Sequence, residues 1–112
     1  MSYIGGNITG QLQTATYAPN TSGELVPTWE TRRQLFGYLD MMSGSAGYMA
    51  YNAKIQESTH VFMCDHEQLP KGVDAETARM VIAGKVYDVT YIDNPMELGE
   101  HLEIFLKYTG GQ

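Results

Sequence analysis

The last third of the chain alternates polar and apolar residues in three short runs, and this pattern constrains the fold more than any other feature. The runs are residues 79–83, 86–92 and 101–108. Such alternation is typical of strands that bury one face. Gly84-Lys85 separates the first two runs, and a two-residue connection of this kind favours a β-hairpin. Asn94-Pro95 and Gly99 interrupt the chain before the third run. The sequence therefore predicts an antiparallel meander.

The first two thirds of the chain contain three further predicted strands. They are residues 11–17, 26–41 and 58–67. Residues 18–25 and 68–77 are rich in turn-forming side chains and predict exposed turns. Pro27 cannot donate to a ladder, so we expect the second strand to begin at a sheet edge or ahead of its ladder. Its predicted core members are Trp29, Leu35, Phe36 and Leu39.

Residues 42–56 separate the second and third predicted strands. Ser43-Gly44-Ser45 interrupts the strand pattern and offers a serine that can cap a helix. Tyr48, Tyr51 or Asn52, and then Ile55 recur at helical spacing, which predicts a short amphipathic helix. The order of these elements favours a mainly β fold, either a small antiparallel barrel or a sandwich. We expect the barrel, with one short helix.

Length and composition indicate one domain. The 112 residues are enough to bury a single core, and 43% of them are hydrophobic. The Gly-rich, polar residues 1–9 predict a flexible N-terminal arm, and the chain shows neither a signal-peptide pattern nor an apolar run long enough to span a bilayer. The single cysteine, Cys64, excludes an internal disulfide framework. These features predict a soluble intracellular protein in a reducing compartment.

The charge of the chain argues against tight binding to nucleic acid. The formal net charge is −6, and residues 57–103 contain ten acidic side chains against three basic ones. Proteins that grip nucleic acid normally carry a basic stripe that neutralises phosphates. An acidic surface is compatible with a channel through which DNA slides without sticking. It is equally compatible with a role in keeping a small domain soluble.

His60, Cys64 and His66 are the sharpest candidates for metal chemistry. Alternate residues of a strand share a face, so the three side chains would project together. Residues i and i+4 of a strand lie about 13 Å apart, however, which is too far for one ion. His101 is the remaining histidine. We therefore expect these side chains to be structural, with no metal and no cofactor.

No pattern of catalytic residues stands out. Glu97 with Glu100, or Asp88 with Asp93, could act as an acid and a base only in a pocket that separates their pKa values. Their setting favours a solvated surface instead. The sequence contains no GxSxG motif and no evident pairing of a hydroxyl with a base. We expect a protein that is not an enzyme.

Methionine and tyrosine concentrate between the second and third predicted strands. The chain has seven methionines and eight tyrosines, and Met41, Met42, Met49, Tyr48 and Tyr51 fall in one Gly- and Ser-rich segment. Flexible Met and amphipathic Tyr are common in adaptable interfaces. The same side chains could simply complete a small core, and the sequence does not separate these two interpretations.

With these elements in order, the chain resembles the head-closure, or stopper, proteins that join heads to tails in long-tailed bacteriophages. The resemblance covers most of the chain and rests on the order and spacing of short pieces. They are Trp29, the small-residue segment and helix 44–56, Thr59-His60-Val61, residues 79–89, Ile92-Asp93-Asn94-Pro95, His101-Leu102-Glu103-Ile104 and Tyr108-Thr109-Gly110-Gly111. One departure is Met63-Cys64-Asp65, where many members continue into a basic residue. The role of that basic residue is not carried over.

The resemblance implies a small β-barrel that forms a ring, of twelve subunits, in the virion. Such a ring would lie between the portal and adaptor rings above and the tail proteins below, and would let DNA pass without sequence-specific binding. It would assemble in the host cytoplasm and have no contact with a membrane. In the family, a loop between the second and third main strands plugs the channel, and residues 40–52 match it here. The plug or interface residues implied are Asp40, Met41, Met42, Ser43, Gly44, Gly47, Tyr48, Met49 and Tyr51.

Two alternatives remain open from the sequence. Another connector of the virion, such as a tail-completion or adaptor protein, would show a similar pattern of short strands. A small metal- or ligand-binding β-barrel enzyme belongs to a different class. A deep pocket or a bound metal would favour the enzyme, and neighbouring capsid, portal and tail genes would favour the connector.

Overall fold

The computed structural model describes residues 5–42, 57–94 and 97–111. Within them the chain forms six strands, each of which overlaps a predicted one. The strands are β1 (Ile8–Pro19), β2 (Leu25–Met41), β3 (His60–Asp65), β4 (Ala78–Ile82), β5 (Lys85–Asp93) and β6 (His101–Gly111). No α-helix occurs among the described residues. The predicted short helix falls in residues 43–56, which lie outside them.

The six strands close into one antiparallel barrel. Their order around it is β1-β2-β3-β6-β5-β4, and β4 then pairs with β1 to complete the circle. The closing ladder runs from Gly10 opposite Ile82 to Thr14 opposite Ala78. The predicted mainly β, antiparallel barrel is therefore confirmed. Closure matters because it leaves no free sheet edge around the body of the barrel.

The core lies inside the barrel and is built mainly by alternation along the strands. Residues at every second position of β3 and β4 are buried, while their neighbours are partly exposed. In β6, Leu102, Ile104 and Leu106 follow the same alternation, and Phe105 is buried in a separate cluster. The largest side chains with less than 2% of their surface exposed are Phe62, Phe105, Leu12, Leu35, Met80, Ile82, Ile104, Leu106 and Cys64. All of these except Phe105 belong to the interior cluster. Burial of these side chains is the main source of stability for the barrel.

Two of the four predicted core residues of β2 are confirmed. Leu35 is fully buried and Leu39 packs against the interior cluster. The prediction that Phe36 belongs to the core is wrong, because 56% of its surface is exposed. Two consecutive residues of a strand face opposite sides, so Phe36 must point out where Leu35 points in. Trp29 is also not part of the interior cluster and is only partly buried.

Two predicted boundaries need correction. The β4–β5 turn consists of Ala83 and Gly84, with φ of 52° and 78°, while Lys85 already pairs with Ile82. Two consecutive residues with positive φ are what a tight hairpin turn requires, and glycine adopts that conformation without steric cost. The predicted N-terminal arm, residues 1–9, overlaps β1, and the Asn7 backbone N–H donates to the Gly37 carbonyl at 2.9 Å. Its first four residues lie outside those described.

The hairpin formed by β1 and β2 extends beyond the rest of the barrel. The β1–β2 ladder continues to Pro19 opposite Leu25, but β4 pairs with β1 only as far as Thr14. Residues 15–29 therefore form a two-stranded hairpin, called the arm below, and the molecule is elongated to 49 × 30 × 25 Å. The Asn20 side chain closes the predicted turn by accepting bonds from the backbone N–H groups of Ser22 and Glu24, at 2.9 and 3.0 Å.

Candidate functional site

The structure places only part of the predicted plug or interface segment. Asp40 and Met41 are the last residues of β2, and 79% of the Met41 surface is exposed. Met42 packs with Val61 and Tyr91 against the buried Phe105. The remaining predicted residues lie outside the described part of the chain. They are Ser43, Gly44, Gly47, Tyr48, Met49 and Tyr51.

The two ends of this segment are held together at one end of the barrel. Met41 pairs with His60, and the backbone N–H of Met42 donates to the Thr59 carbonyl at 2.8 Å. The Thr59 hydroxyl also accepts the backbone N–H of Tyr108 at 2.8 Å, which fixes the returning chain to β6. The connection between β2 and β3 therefore leaves and re-enters the barrel at the same place.

A buried polar contact anchors the chain just before β3. The hydroxyls of Ser58 and Thr90 lie 2.5 Å apart, and the Thr90 hydroxyl donates to the Phe105 carbonyl at 3.0 Å. Both residues are 8% exposed. Buried hydroxyls that are bonded in this way cost little, whereas one left without a partner would be destabilising. The contact therefore fixes Ser58 against β5 and β6.

His60, Cys64 and His66 do not come together as a site. Cys64 is buried in the interior cluster, and its pKa is raised to about 12, chiefly by burial and further by Glu67 and Asp65. His60 meets the edge of the Tyr87 ring, with centroids 5.2 Å apart. His66 follows β3 and donates its backbone N–H to the Glu100 carbonyl at 3.3 Å. Among the described residues, no group of three His, Cys, Asp or Glu side chains could hold a metal ion.

Sequence reasoning missed a groove that lies between the arm and the barrel. Its volume is about 620 Å³. The described lining residues are Ala15, Tyr17, Trp29, Glu57, Ala75, Glu76, Thr77, Ala78, Asp88, Val89, Thr90 and Lys107. The signal was present in the sequence, since Ala15 and Tyr17 alternate on β1 and pair with Trp29 and Pro27 on β2. Cross-strand partners share a face, so these four side chains form one apolar wall.

The groove combines that apolar wall with charge. Glu57, Glu76 and Asp88 are exposed, and Lys107 is the basic lining residue among those described. Asp88 lies opposite Arg79 on β4 and opposite Lys107 on β6, although no ion pair joins it to either side chain. Glu57 and Glu76 form no ion pair within the described residues, so their charges are available to a partner.

The apolar wall of the groove is fixed to the barrel by a contact between Trp29 and Arg79. The guanidinium carbon lies 4.1 Å from the centre of the indole ring, and the Arg79 Nε–H donates to Gln13 Oε1 at 2.9 Å. Gln13 in turn donates to the Thr31 hydroxyl at 3.1 Å. A cation over an aromatic face is attractive because the ring carries negative charge on its faces. This chain of contacts sets the angle between arm and barrel, and with it the width of the groove.

Chemically, the groove is suited to binding. Its described lining residues include no Ser, Cys or His that could act as a nucleophile with a neighbouring base. Its volume falls in the usual range for ligand or side-chain pockets, and its aromatic side chains are of the kind that anchors protein interfaces. Within the described residues, no helix is long and apolar enough to cross a membrane.

Comparison with known proteins identifies similar folds. No protein-family model matches the chain, and no curated protein matches it. One solved structure with a similar fold is protein SF1141 from Shigella flexneri 2a, with a TM-score of 0.67 and 21% identity over the whole of both chains. Another is a chain from the virion of a native gene transfer agent particle, with a TM-score of 0.55 and 17% identity. That match covers 89% of this chain and 91% of the other. At these identities the similarity establishes the fold.

Proposed function

We propose that this chain is a virion structural protein that forms the head-closure ring of a tailed phage or phage-like particle. The observation that carries the proposal is the fold shared, over nearly the full length of both chains, with a component of a gene transfer agent virion. The order of motifs along the sequence supports the same conclusion independently. The ring would consist of twelve copies, lie between the portal and adaptor rings and the tail, and be built in the host cytoplasm.

The geometry of the barrel supports this function. A closed barrel without free edges around its body can be repeated in a ring without sheet-to-sheet aggregation. The connection between β2 and β3 starts and ends at one point, so it can reach into a channel while the barrel stays fixed. A net charge of −6 lets DNA pass along the subunits without being held by them.

We further propose that the protein has no catalytic activity. The hydroxyls among the described lining residues belong to Thr77 and Thr90, and both are engaged within the fold: Thr77 bonds Asp74 and Gly72 in its own loop, and Thr90 bonds Ser58 and the Phe105 carbonyl. The groove carboxylates are exposed rather than enclosed in a pocket, as paired acid–base carboxylates are. The surface features that stand out are an arm, a groove and exposed aromatic side chains. These are the features of a protein that binds other proteins.

The test is deletion of the encoding gene from the particle's genome. We expect heads and tails to form separately and remain unjoined, and packaged DNA to leak from the heads. Purified wild-type protein added to the mutant heads should restore joining to tails. Joined, infectious particles formed without the protein would overturn the proposal.

Two further outcomes separate the alternatives. If the mutant heads retain DNA and accept wild-type tails, while the mutant tails fail, the protein completes tails and the head-closure assignment is wrong. If particle assembly is normal and the loss appears instead in the metabolism of a small molecule, the chain is a ligand-binding enzyme. The first outcome is read by mixing mutant and wild-type heads and tails in each combination, and the second by comparing the metabolism of the mutant with that of the wild type.

A further inference from the structure

β4 is shorter than both of its neighbours in the barrel. It begins at Ala78, opposite Thr14 of β1, whereas β1 continues to Pro19. β5 likewise continues, as residues 89–93, beyond the last residue that pairs with β4. Residues of both continuing strands line the groove, namely Ala15, Tyr17, Val89 and Thr90. The groove therefore occupies the place that a longer β4 would fill.

One edge of β1 is unpaired from residue 15 onward, among the described residues. β2 pairs with the opposite edge, and no described loop forms a backbone hydrogen bond with Ala15 or Tyr17. Bonded and non-bonded pairs alternate along an antiparallel ladder. The Asn20 N–H donates to the Glu24 carbonyl at 2.8 Å, and counting back from this bonded pair places Tyr17 and Ala15 in non-bonded pairs. Their backbone N–H and C=O groups therefore point away from β2, towards the groove.

The other edge of the arm, on β2, is less suited to pairing. β3 pairs with β2 only from Gly37 onward. The same alternation places Pro27, opposite Tyr17, in a non-bonded pair, so its nitrogen faces outward and supplies no N–H. Proline at such a position protects a sheet edge from unwanted strands. On β1, Pro19 limits the unpaired edge in the same way, so the edge that can accept a strand consists of residues 15–18 and is called the open edge below.

The side chains beside the open edge favour a basic occupant. Glu57 and Glu76 are exposed and form no ion pair within the described residues, whereas Asp88 lies opposite both Arg79 and Lys107. An extended peptide directs alternate side chains to the same face. A segment in which Lys or Arg alternates with apolar residues would therefore meet the two free carboxylates and the apolar wall together.

We propose that the groove is a strand-addition site, where an extended basic segment of another virion protein pairs with β1 at Ala15 and Tyr17. The added strand takes the place that a longer β4 would fill. In this mode of recognition the main-chain hydrogen bonds supply affinity and the side-chain contacts supply specificity. Four residues of open edge span about 13 Å, which is enough for a short added strand. The class of the partner rests on the proposed virion function, while the site itself rests on the register of β1.

A second copy of this chain is a poorer occupant than a different protein. Within the described residues, every strand already pairs in its own barrel, and the β2 edge of the arm lacks a donor at Pro27. Each copy also carries a net charge of −6, so two copies repel one another at low salt. A basic segment of a different protein meets neither obstacle.

Photo-cross-linking from the open edge identifies the occupant. p-Benzoylphenylalanine replaces Tyr17, which is 63% exposed, and particles assembled with this variant are irradiated. We expect an adduct with a different virion protein, and mass spectrometry should place the cross-link in an extended segment that contains Lys or Arg. Leu25, on the other edge of the arm and 69% exposed, carries the same group in the control and should not give this adduct. No adduct, an adduct only between copies, an adduct only within one chain, including residues 43–56, or the same adduct from both positions would overturn the proposal.

Removal of one outward N–H tests the backbone pairing. Tyr17→Pro deletes the N–H that points away from β2, and Pro19 and Pro27 already occupy equivalent positions, so the arm should stay folded. The yield of joined particles should fall at least tenfold, and further than with Tyr17→Ala, which loses only the ring. Leu25→Pro, the matched change at the other edge, should assemble normally. Urea unfolding of the two proline variants should agree, and equal particle yields from them would exclude strand addition.

Charge reversal tests the basic character of the occupant. Glu57→Lys combined with Glu76→Lys should lower the yield of the Tyr17 adduct at least fivefold. The control combines Glu24→Lys with Glu30→Lys, an equal change in net charge at exposed residues outside the lining, and should leave the yield unchanged. A loss of equal size in both pairs, or no loss in the first pair, would show that the occupant is not recognised by its positive charge and would overturn that part of the proposal.

Failure of the strand-addition site and failure of the head-closure function give different results. Normal joining by Tyr17→Pro particles, with heads and tails left unjoined by deletion of the gene, overturns strand addition alone. Joined particles formed without the gene overturn head closure. In that case an adduct between position 17 and a basic segment of a virion protein would still support the site.

Discussion

The guanidinium carbon of Arg79 lies over the indole of Trp29, 4.1 Å from the ring centre. This contact joins the arm to β4, because Trp29 belongs to the part of β2 that extends beyond the barrel. A two-stranded hairpin is only marginally stable by itself. The arm therefore depends on Arg79, and on its bond to Gln13, for a fixed position against the barrel.

Replacement of Arg79 by glutamine should loosen the arm without unfolding the barrel. Loss of the cation–π contact should lower the free energy of unfolding by about 1 kcal/mol. Trp29 is the single tryptophan, so its fluorescence reports on the arm alone, and the emission should shift to the red. Lys85→Gln is the control. It also removes a cation near an aromatic ring, 5.9 Å from the centre of Tyr108, but at the start of β5 rather than at the arm. An unchanged emission spectrum in Arg79→Gln would show that the arm is held in another way.

Alternation along the chain was sufficient to predict all six strands and their antiparallel arrangement. The prediction failed at Phe36, where the hydrophobicity of the side chain was given more weight than the in–out alternation that starts from the buried Leu35. It also could not reveal the arm, because a strand that leaves the barrel has the same local pattern as one that stays in it. Only the pairing of β1 with β4, which stops at Thr14, shows where the barrel ends.

The groove was beyond sequence reasoning for a related reason. Asp88 and Lys107 come from β5 and β6, which are neighbours around the closed barrel, and Glu57 precedes Ser58, whose hydroxyl contacts Thr90 of β5. Charge counting located the acidic segment but could not show which of its carboxylates lack a counterion. The pairing of Glu67 with Arg33 is likewise visible only in three dimensions.

Cys64 should be inert in the native protein. Burial is the main cause that raises the pKa of its thiol to about 12, so the reactive thiolate is essentially absent at pH 8. A chromogenic disulfide reagent should label Cys64 only as fast as the barrel opens, and denaturant should accelerate labelling at least a hundredfold. Met41→Cys, at a position that is 79% exposed, provides a fast-reacting control. Rapid labelling of native wild-type protein would contradict the buried position of Cys64.

His60 should make the stability of the barrel depend on pH in the mildly acidic range. Burial and the nearby Lys85 lower the pKa of His60 below 6.5. The unfolded state therefore binds a proton more readily than the folded state, and stability should fall as the pH drops below about 6.5 and level off below the folded pKa. Urea unfolding between pH 7.5 and pH 5 measures the slope. His60→Gln should flatten it, and an equal slope in His60→Gln and the wild-type protein would exclude His60 as the cause.

The purified protein should be a monomer or a weak oligomer. Each copy carries a net charge of −6, so copies repel one another at low salt. A heterologous contact also gains little until the last subunit closes the ring on a template. Sedimentation at micromolar concentration should give a mass near 12.5 kDa, rising modestly at high salt. A stable ring of twelve in dilute solution without any partner would refute this expectation.

Deletion of residues 43–48 should separate the barrel from the proposed plug. The barrel should survive because its flanking strands are joined outside the deletion, by the pairing of Met41 with His60 and by the Ser58–Thr90 contact. Urea unfolding should therefore change by less than about 1 kcal/mol, in contrast to the roughly 3–5 kcal/mol expected for Phe62→Ala in the core. Particles made with the deletion variant should leak DNA. The Gly- and Ser-rich composition also predicts fast amide exchange in residues 43–52 of the intact subunit, beside slow exchange in residues 79–92, whereas residues 40–42 of the matched segment belong to the hydrogen-bonded end of β2. Unfolding of the deletion variant, or equally slow exchange in residues 43–52 and 79–92, would make residues 43–52 part of the core and exclude their role as a plug.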